Sequence, residues 1–263
     1  MRRGATLIGL ALAASAAAAL AQAPAQRDPL ATKGGWEAGI QGATYEYEEP
    51  NFALLEGERL GVTGSYTFLG PDYIHSRIEA RYSYGELDYT GSGTLADVPD
   101  HLVELRAVAG RDYRAGRVIW VPYAGLGYRH LYNDLRGVTS TGHIGYRRKS
   151  RYYYVPLGVA LRIPLGSQWV MVPQLEYDAF ANGRQRSYLG DTSLGLSDVT
   201  NRQQEGWGAR AQLVFEGRRW TIGLWTQYWD IKDSDIQLIG FGLGGLEPAN
   251  TTRESGVELR YRF

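Results

Sequence analysis

The 263-residue sequence predicts an all-β fold, a closed antiparallel up-and-down transmembrane β-barrel of about ten strands. Three observations lead to this prediction. Polar and apolar residues alternate with a period of two along ten segments. The connections between these segments are alternately long and short. Aromatic side chains collect near both ends of the segments, with aliphatic side chains between them.

The composition excludes several classes of function. Lys and Arg total 28, as do Asp and Glu, so the formal net charge is zero. This balance does not favour a nucleic-acid partner. The chain has no cysteine, so a disulfide, a thiolate nucleophile and a cysteine-ligated metal are all excluded.

The N-terminus has the pattern of a secretory signal. Arg2 and Arg3 precede an apolar run, Ala5–Leu20, which ends in a small-x-small cleavage pattern. The alternative is a membrane-anchoring helix. The predicted organisation is a signal peptide at 1–23, a periplasmic spacer at 24–34 and the barrel at 35–263.

The alternation is clearest at the C-terminus. One face of the last strand is apolar and the other carries Glu258, Arg260 and Arg262. The predicted strands have roughly 11–15 residues each, more than the mode of about 5–6 residues in soluble proteins. This length suits a tilted crossing of a bilayer. The predicted strands are 35–47, 58–69, 73–87, 101–112, 117–130, 150–164, 168–181, 203–216, 218–231 and 252–263.

The connections support a membrane orientation. Transmembrane β-barrels have long extracellular loops and tight periplasmic turns, and both termini then lie on the periplasmic side. The predicted long connections are 48–57, 88–100, 131–149, 182–202 and 232–251; the short ones are 70–72, 113–116, 165–167 and 217.

Aromatic side chains predict two membrane girdles. The short-turn girdle comprises Trp36, Phe68, Trp120, Trp169, Phe215, Trp220 and Phe263. The long-loop girdle comprises Tyr82, Tyr84, Tyr128, Tyr153, Tyr177, Trp207 and Tyr228.

The opposite faces of the strands predict a charged lumen. Neighbouring strands bring opposite signs together, as in Glu79 with Arg106, Arg81 with Glu104, Glu176 with Arg210, and Glu37 with Arg260. A ten-stranded barrel has a backbone radius of roughly 10 Å, which these side chains largely fill. The alternative is a narrow pore or a ligand pocket at the outer mouth. The predicted lumen network is Glu37, Arg77, Glu79, Arg81, Glu104, Arg106, Glu176, Asp178, Arg210, Glu258, Arg260 and Arg262.

No catalytic or metal site is predicted, and no cofactor. None of the four histidines, His75, His101, His130 and His143, lies in an Asp-x-His motif. The rim carboxylates are interpreted as solvated loop residues; they are Asp88, Asp178, Asp230, Asp233 and Asp235.

One stretch combines basic and aromatic residues. Tyr152, Tyr153 and Tyr154 follow four cations, and this combination predicts contact with lipopolysaccharide phosphates at the outer leaflet. The alternative is a girdle beside a solvated loop base. The predicted contact residues are Arg147, Arg148, Lys149 and Arg151.

The signal segment, the ten alternating strands and the ending Val257-x-Leu259-x-Tyr261-x-Phe263 resemble bacterial outer-membrane β-barrel proteins as a class. The resemblance implies location in the outer membrane, contact with its lipids, and recognition of those four C-terminal residues by the barrel assembly machinery. Ten strands is the size of the omptin proteases and of some adhesin-type barrels.

The leading functional hypothesis is a non-enzymatic barrel with a largely filled lumen and a structural or surface-binding role, whose loops meet an unidentified extracellular ligand. One alternative is a narrow porin-like channel for ions or small solutes. Another is an outer-rim enzyme, either an omptin-like protease or a lipid A-modifying enzyme.

Overall fold

A computed structural model describes residues 27–263, and the predicted signal segment lies outside the described residues. Within this range the chain is mostly strand, and its helical structure is a single 3₁₀ turn, Leu189–Thr192. No helix in the described range is long and apolar enough to cross a membrane. The strands are β1 (Gly35–Glu49), β2 (Ala53–Leu69), β3 (Ile74–Gly91), β4 (Gly93–Arg111), β5 (Tyr113–Ala115), β6 (Val118–Asp134), β7 (Arg147–Leu165), β8 (Trp169–Ser187), β9 (Val199–Gln203), β10 (Gly206–Glu216), β11 (Trp220–Ile231), β12 (Gln237–Gly240), β13 (Leu243–Gly245) and β14 (Asn250–Arg262).

The sheet closes on itself. β14 pairs with β11 on one side and with β1 on the other, in a register that runs from Glu37 opposite Arg262 to Glu48 opposite Thr251. β9 and β10 both pair with β8 and form one barrel strand with an interruption at 204–205. The ring order is therefore β1–β2–β3–β4–β6–β7–β8–β10–β11–β14. The predicted ten-stranded antiparallel barrel is confirmed.

Two of the five predicted long connections are wrong. β1 and β2 are joined by residues 50–52, and β3 and β4 by Ser92 alone. The predicted loops at 48–57 and 88–100 are mostly strand. Beyond the hydrocarbon the outward face of a strand meets water and becomes charged, while inward residues such as Leu55 and Val98 stay buried; the apolar outward phase that marks a membrane strand is therefore lost although the hydrogen-bonded ladder continues. The other three outer connections are long: 135–146, 188–198, which contains the 3₁₀ turn, and 232–249, which contains the β12–β13 hairpin.

The barrel wall extends beyond the membrane. β4, β7 and β8 each have 19 residues, which corresponds to a height of about 50 Å at a rise of about 3.3 Å per residue and a tilt near 40°. The hydrocarbon core of a bilayer is about 30 Å thick. Because the turns at the periplasmic end are short, most of the excess projects on the long-loop side.

The outer surface at mid-height is apolar. Leu60 is 76% exposed, and Ile40 and Leu175 are similarly open. Exposed aromatic side chains lie near both ends of this band, such as Trp36 at the short-turn end and Tyr153 at the long-loop end. Hydrocarbon is the solvent that this pattern fits.

Candidate functional site: the barrel interior and the charged outer wall

A continuous series of ion pairs fills the lower and middle lumen. Glu104, for example, lies 3.1 Å from Arg81 and 2.9 Å from Arg210. Consecutive members of the series contact each other across the barrel as well as along the ladder. The series runs Asp100, Arg59, Glu254, Arg81, Glu104, Arg210, Glu176, Arg106, Glu79, Arg77, Glu37, Arg262, Glu216, Arg162.

The structure brings together all but one of the residues in the predicted lumen network. The four predicted pairs lie within ion-pair distance: Glu79–Arg106 at 2.7 Å, Arg81–Glu104 at 3.1 Å, Glu176–Arg210 at 3.5 Å and Glu37–Arg260 at 3.7 Å. Glu258 joins through Arg260, at 3.3 Å. Asp178 is fully buried, and neither of its carboxylate oxygens has a hydrogen-bond partner.

Sequence reasoning missed part of this network. Arg59, Arg129 and Glu254 meet one another near the outer end of the series, and Arg162 pairs with Glu216 near the inner end. Each of these residues lies in the inward phase of its strand. Extending the alternation to the full length of the strands would have identified them.

An apolar layer closes the lumen around the outer end of the ion-pair series, and we call it the outer plug. The rings of Tyr154 and Trp229 pack edge to face across the barrel, with centroids 5.0 Å apart. The Tyr154 hydroxyl donates to Glu104 at 2.8 Å, so the plug is bonded to the network beneath it. The members of the outer plug are Tyr45, Leu55, Leu87, Val98, Leu102, Leu131, Leu135, Tyr152, Tyr154, Trp229 and Ile231.

Glycines make room for the aromatic side chains of the plug. A Cβ at Gly127 would overlap the ring of Tyr154, and one at Gly208 would lie 2.8 Å from the indole of Trp229. A larger residue at either position would displace the ring that closes the barrel.

A polar cluster above the outer plug anchors the last outer loop, and we call it the latch. The guanidinium of Arg148 donates to both Glu49 and Glu247, and the Tyr47 hydroxyl donates to Glu49 at 2.8 Å. All three charged side chains are buried. Burial raises the pKa of Glu247, on the extracellular loop, to about 7, although Arg148 opposes the shift.

Residues 28–33, which precede β1, close the other end of the lumen. Leu30 and Ala31 are buried against Ile119, Val121 and other aliphatic side chains of the barrel wall. Polar contacts hold this segment in place. The backbone N–H of Thr32 donates to Asp112 at 2.7 Å, and the Arg162 side chain donates to the carbonyl of Leu30 at 2.6 Å. We call residues 28–33 the inner plug.

The space left among the ion pairs is small. One polar cavity of about 60 Å³ lies beside Gln41 and Trp225, and another of about 90 Å³ lies beside Lys33 and Tyr123. Each has room for a few water molecules.

The histidines are spread over the molecule. His75 lies 3.3 Å from Asp112 at the periplasmic end, His101 is bonded to Tyr82 on the outer wall, and His143 is bonded to Thr141 in a loop. His130 also faces outward, stacked on Tyr128. Within residues 27–263, no histidine forms an ion pair with a carboxylate at the outer mouth, and no group of His, Asp and Glu is arranged to hold a metal.

The predicted rim carboxylates lie apart from one another. Asp178 is deep in the lumen, so its assignment to the rim is wrong. Asp230 pairs with Lys232 at 2.9 Å, and Asp233 and Asp235 accept hydrogen bonds from backbone N–H groups. Asp88 is exposed on β3.

The structure separates the four cations of the predicted lipopolysaccharide contact. Arg148 belongs to the latch, so its prediction as an outward contact is wrong. Arg147 pairs with Asp191 at 2.7 Å, and this hydrogen-bonded contact lowers the pKa of Asp191 to about 2. Lys149 and Arg151 face outward above the girdle.

Neighbouring strands add cations that sequence reasoning did not include. Lys149 is opposite Arg186, and Arg184 is opposite both Arg151 and Arg202. Of these five, only Arg186 has a carboxylate partner within ion-pair distance in the described chain, Asp198 at 3.2 Å. We call Lys149, Arg151, Arg184, Arg186 and Arg202 the basic face.

The C-terminal residues lie at the seam where the barrel closes. Val257, Leu259 and Tyr261 are on the lipid side of β14. The backbone N–H of Phe263 donates to the carbonyl of Trp36 on β1 at 3.1 Å, and the Phe263 side chain is 79% exposed.

Comparisons with known proteins agree with this architecture. The family model described as outer membrane protein beta-barrel domain matches residues 9–177. No curated protein matches the chain in sequence. The structure of the outer membrane protease OmpT from Escherichia coli is similar, with 10% identity and a TM-score of 0.51 over 87% of this chain and 96% of that one. The translocator domain of the autotransporter NalP from Neisseria meningitidis has 13% identity and a TM-score of 0.43 over 88% and 90%. The likeness to OmpT concerns the fold alone.

Proposed function

Because the chain belongs to the outer membrane protein beta-barrel domain family, we propose that it is a non-conducting, non-enzymatic barrel of the bacterial outer membrane. Its role is structural, with a charged outer wall that binds a partner at the membrane surface. The filled lumen carries this proposal.

Three layers obstruct the route through the barrel. The inner plug occupies the periplasmic end, the ion-pair series crosses the middle, and the outer plug lies beneath the extracellular mouth. An ion would have to displace buried aromatic rings and separate paired charges to pass. Taking an unpaired charge through such a layer costs several kcal/mol, which supports a barrel without steady conductance.

The positions of the ionisable groups support a non-enzymatic role. OmpT is a protease by its description, and water activation by carboxylates and a histidine requires those groups within hydrogen-bond reach. Here His143 is the histidine on an outer loop, and its ring is bonded to Thr141. The two buried carboxylates nearest the mouth of the lumen, Glu49 and Glu247, are both bonded to Arg148.

The basic face supports a binding role for the outer wall. Its cations lie opposite one another on adjacent strands. Like charges in such positions repel each other and destabilise the sheet, and a bound anion would offset this repulsion. We propose that it binds an anionic group at the outer-leaflet surface. Contact of Lys149 and Arg151 with lipopolysaccharide phosphates stays a prediction.

Planar-bilayer recording tests the sealed lumen. The purified barrel is expected to insert without unitary current steps. The double variant Tyr154→Ala/Trp229→Ala combined with deletion of the inner plug is expected to give brief current steps of low conductance, because the inner plug is removed and the outer plug is opened while the ion-pair series remains. Reproducible current steps from the unaltered protein would contradict the proposal and favour a channel.

Incubation with a peptide library and with lipid A, followed by mass spectrometry, tests the non-enzymatic role. Unchanged substrates are expected. A product that depends on the folded barrel would contradict this part of the proposal.

A further inference from the structure

A second charged surface lies on the projecting wall, on strands β1 to β3. It consists of outward side chains above the aromatic girdle. Within residues 27–263, the only cation within ion-pair distance of any of them is Arg253, 3.2 Å from Glu46. We call it the acidic face: Glu46, Glu48, Glu56, Glu58, Glu86 and Asp88.

The carboxylates of the acidic face repel one another, as the cations of the basic face do. Glu46 is opposite Glu56, and Glu56 is opposite Asp88, so three carboxylates form one row across three strands. The same ladder brings Glu58 alongside Glu86, since Gly57 is opposite Leu87 and Leu60 is opposite Tyr84. Like charges directly opposite each other destabilise a sheet. An external cationic partner would relieve this cost.

The two faces lie on opposite sides of the barrel. The acidic face is centred on β2 and the basic face on β8. In the ring order, β2 and β8 are five strands apart in either direction. They are therefore half a turn apart around a ten-stranded ring.

The faces also match in height. Glu86 is two residues above Tyr84 on β3, and Arg151 is two residues above Tyr153 on β7. Tyr84 and Tyr153 are both exposed girdle residues. Each face thus begins at the first outward position above the girdle and continues for a second row.

We infer that the acidic face of one barrel binds the basic face of a second copy of the same chain. This inference rests on the proposed function and names the anionic partner of the basic face. All copies share one orientation in the membrane, so a two-fold axis along the membrane normal would bring acid against acid. A sideways translation brings acid against base. Such a contact is heterologous, and because the faces are half a turn apart it produces straight rows rather than closed dimers.

Cysteine cross-linking tests the contact, and the chain has no native cysteine to interfere. The double variant Glu58→Cys/Arg184→Cys, oxidised in native outer membranes, is expected to give a ladder of dimers, trimers and longer products. Each single-cysteine variant is expected to give none, because neither residue meets its own copy. Absence of the ladder, or dimers from a single variant, would overturn the inference.

Charge reversal separates this contact from lipid binding. Reversal of the acidic face (Glu56→Lys, Glu58→Lys, Glu86→Lys) or of the basic face (Arg151→Glu, Arg184→Glu, Arg202→Glu) is expected to abolish co-sedimentation of labelled with unlabelled barrels in solubilised membranes. The variant that carries both reversals is expected to recover it. If it does not recover, the inference is wrong.

Vesicles of defined composition distinguish a second barrel from lipid phosphates as the group bound to the basic face. In phosphatidylcholine vesicles without lipopolysaccharide, rows are expected to form and to weaken as salt increases. If instead the basic-face reversal lowers binding of lipopolysaccharide and the acidic-face reversal changes nothing, lipid phosphates occupy the basic face. That result overturns self-association and leaves the proposed anion-binding wall intact.

Discussion

Glu104 shows how strongly single residues depend on each other inside the barrel. Its carboxylate accepts hydrogen bonds from Arg210 and Tyr154 and pairs with Arg81, and it is 2% exposed. Removal of one partner from a buried ion pair costs more than the pair contributes, because a charge remains buried without a counterpart.

We expect Glu104→Gln to lower the free energy of unfolding by up to about 3–5 kcal/mol, since two buried guanidinium groups, Arg81 and Arg210, each lose one of their two carboxylate partners. Urea unfolding of the barrel in lipid vesicles measures this change. The matched control is Glu46→Gln, whose partner Arg253 is largely exposed; it is expected to cost less than about 1 kcal/mol. Equal effects of the two substitutions would contradict the role of burial.

The latch makes the last outer loop sensitive to pH. The pKa of Glu247 is about 7 in the folded protein, above its ordinary value of about 4.3. The folded state therefore retains a proton that the opened loop releases. The contribution of Glu247 to the stability of the closed loop is therefore fully present below pH about 4.3 and is lost as pH rises through about 7.

We expect the loop 232–249 to be more mobile at pH 8 than at pH 5. A nitroxide on Leu238→Cys, an exposed position, reports this mobility by electron paramagnetic resonance. Glu247→Gln is expected to remove the pH dependence. Equal spectra at both pH values in the otherwise unaltered chain would show that the latch does not titrate.

At the residue scale, alternation predicted most of the inward charges in the middle of the strands but missed those near the strand ends, such as Arg162 and Arg148. Arg148 is in the inward phase with Ser150 and Tyr152, yet its neighbours Arg147 and Lys149 suggested one solvated cluster. Only the fold brings Glu49 and Glu247, from distant parts of the sequence, to its guanidinium.

Among the elements, the inner plug was not predicted. The sequence from 24 to 34 has no alternation and reads as a spacer, although Leu30 and Ala31 are apolar. Their burial depends on the width of the lumen and on inward aliphatic side chains from several strands. By contrast, the membrane-crossing strands were predicted well. One face of each strand meets lipid and the other faces the polar lumen, so apolar and polar residues alternate with a period of two.

Deletion of residues 28–33 is expected to open the periplasmic end. Val121→Cys, buried beneath Leu30, should then react with a hydrophilic maleimide, whereas it should not react in the chain with the plug. Arg218→Cys in an exposed turn is the control that reacts in both. Heat-modifiable migration on gels verifies folding. Protection of Val121→Cys in both chains would contradict the sealing role.

At the scale of the whole molecule, assembly depends on closure of β14 onto β1. The fold class followed from the sequence because a sheet in hydrocarbon must satisfy every backbone amide and therefore has to close. The charged faces on opposite sides did not follow, since their positions depend on the ring order and the register.

Deletion of Phe263 is expected to lower the yield of barrel in the membrane, because its side chain is exposed at the C-terminal end of the closing strand. The protein refolded in detergent should keep its stability. Phe263→Tyr, which preserves an aromatic ring, is the control. Normal membrane yield after the deletion would contradict an assembly role for this residue.

The short turns at 50–52 and at Ser92 contain too few unpaired residues to enter the active site of a protease. A protease binds its substrate as an unpaired extended segment, and in these hairpins the backbone is already held in the ladder. Digestion of intact cells with trypsin should therefore cut only the remaining outer loops, for example after Arg136 and Lys232. The nicked polypeptide would stay together, since strands on both sides of each cut remain paired within the wall.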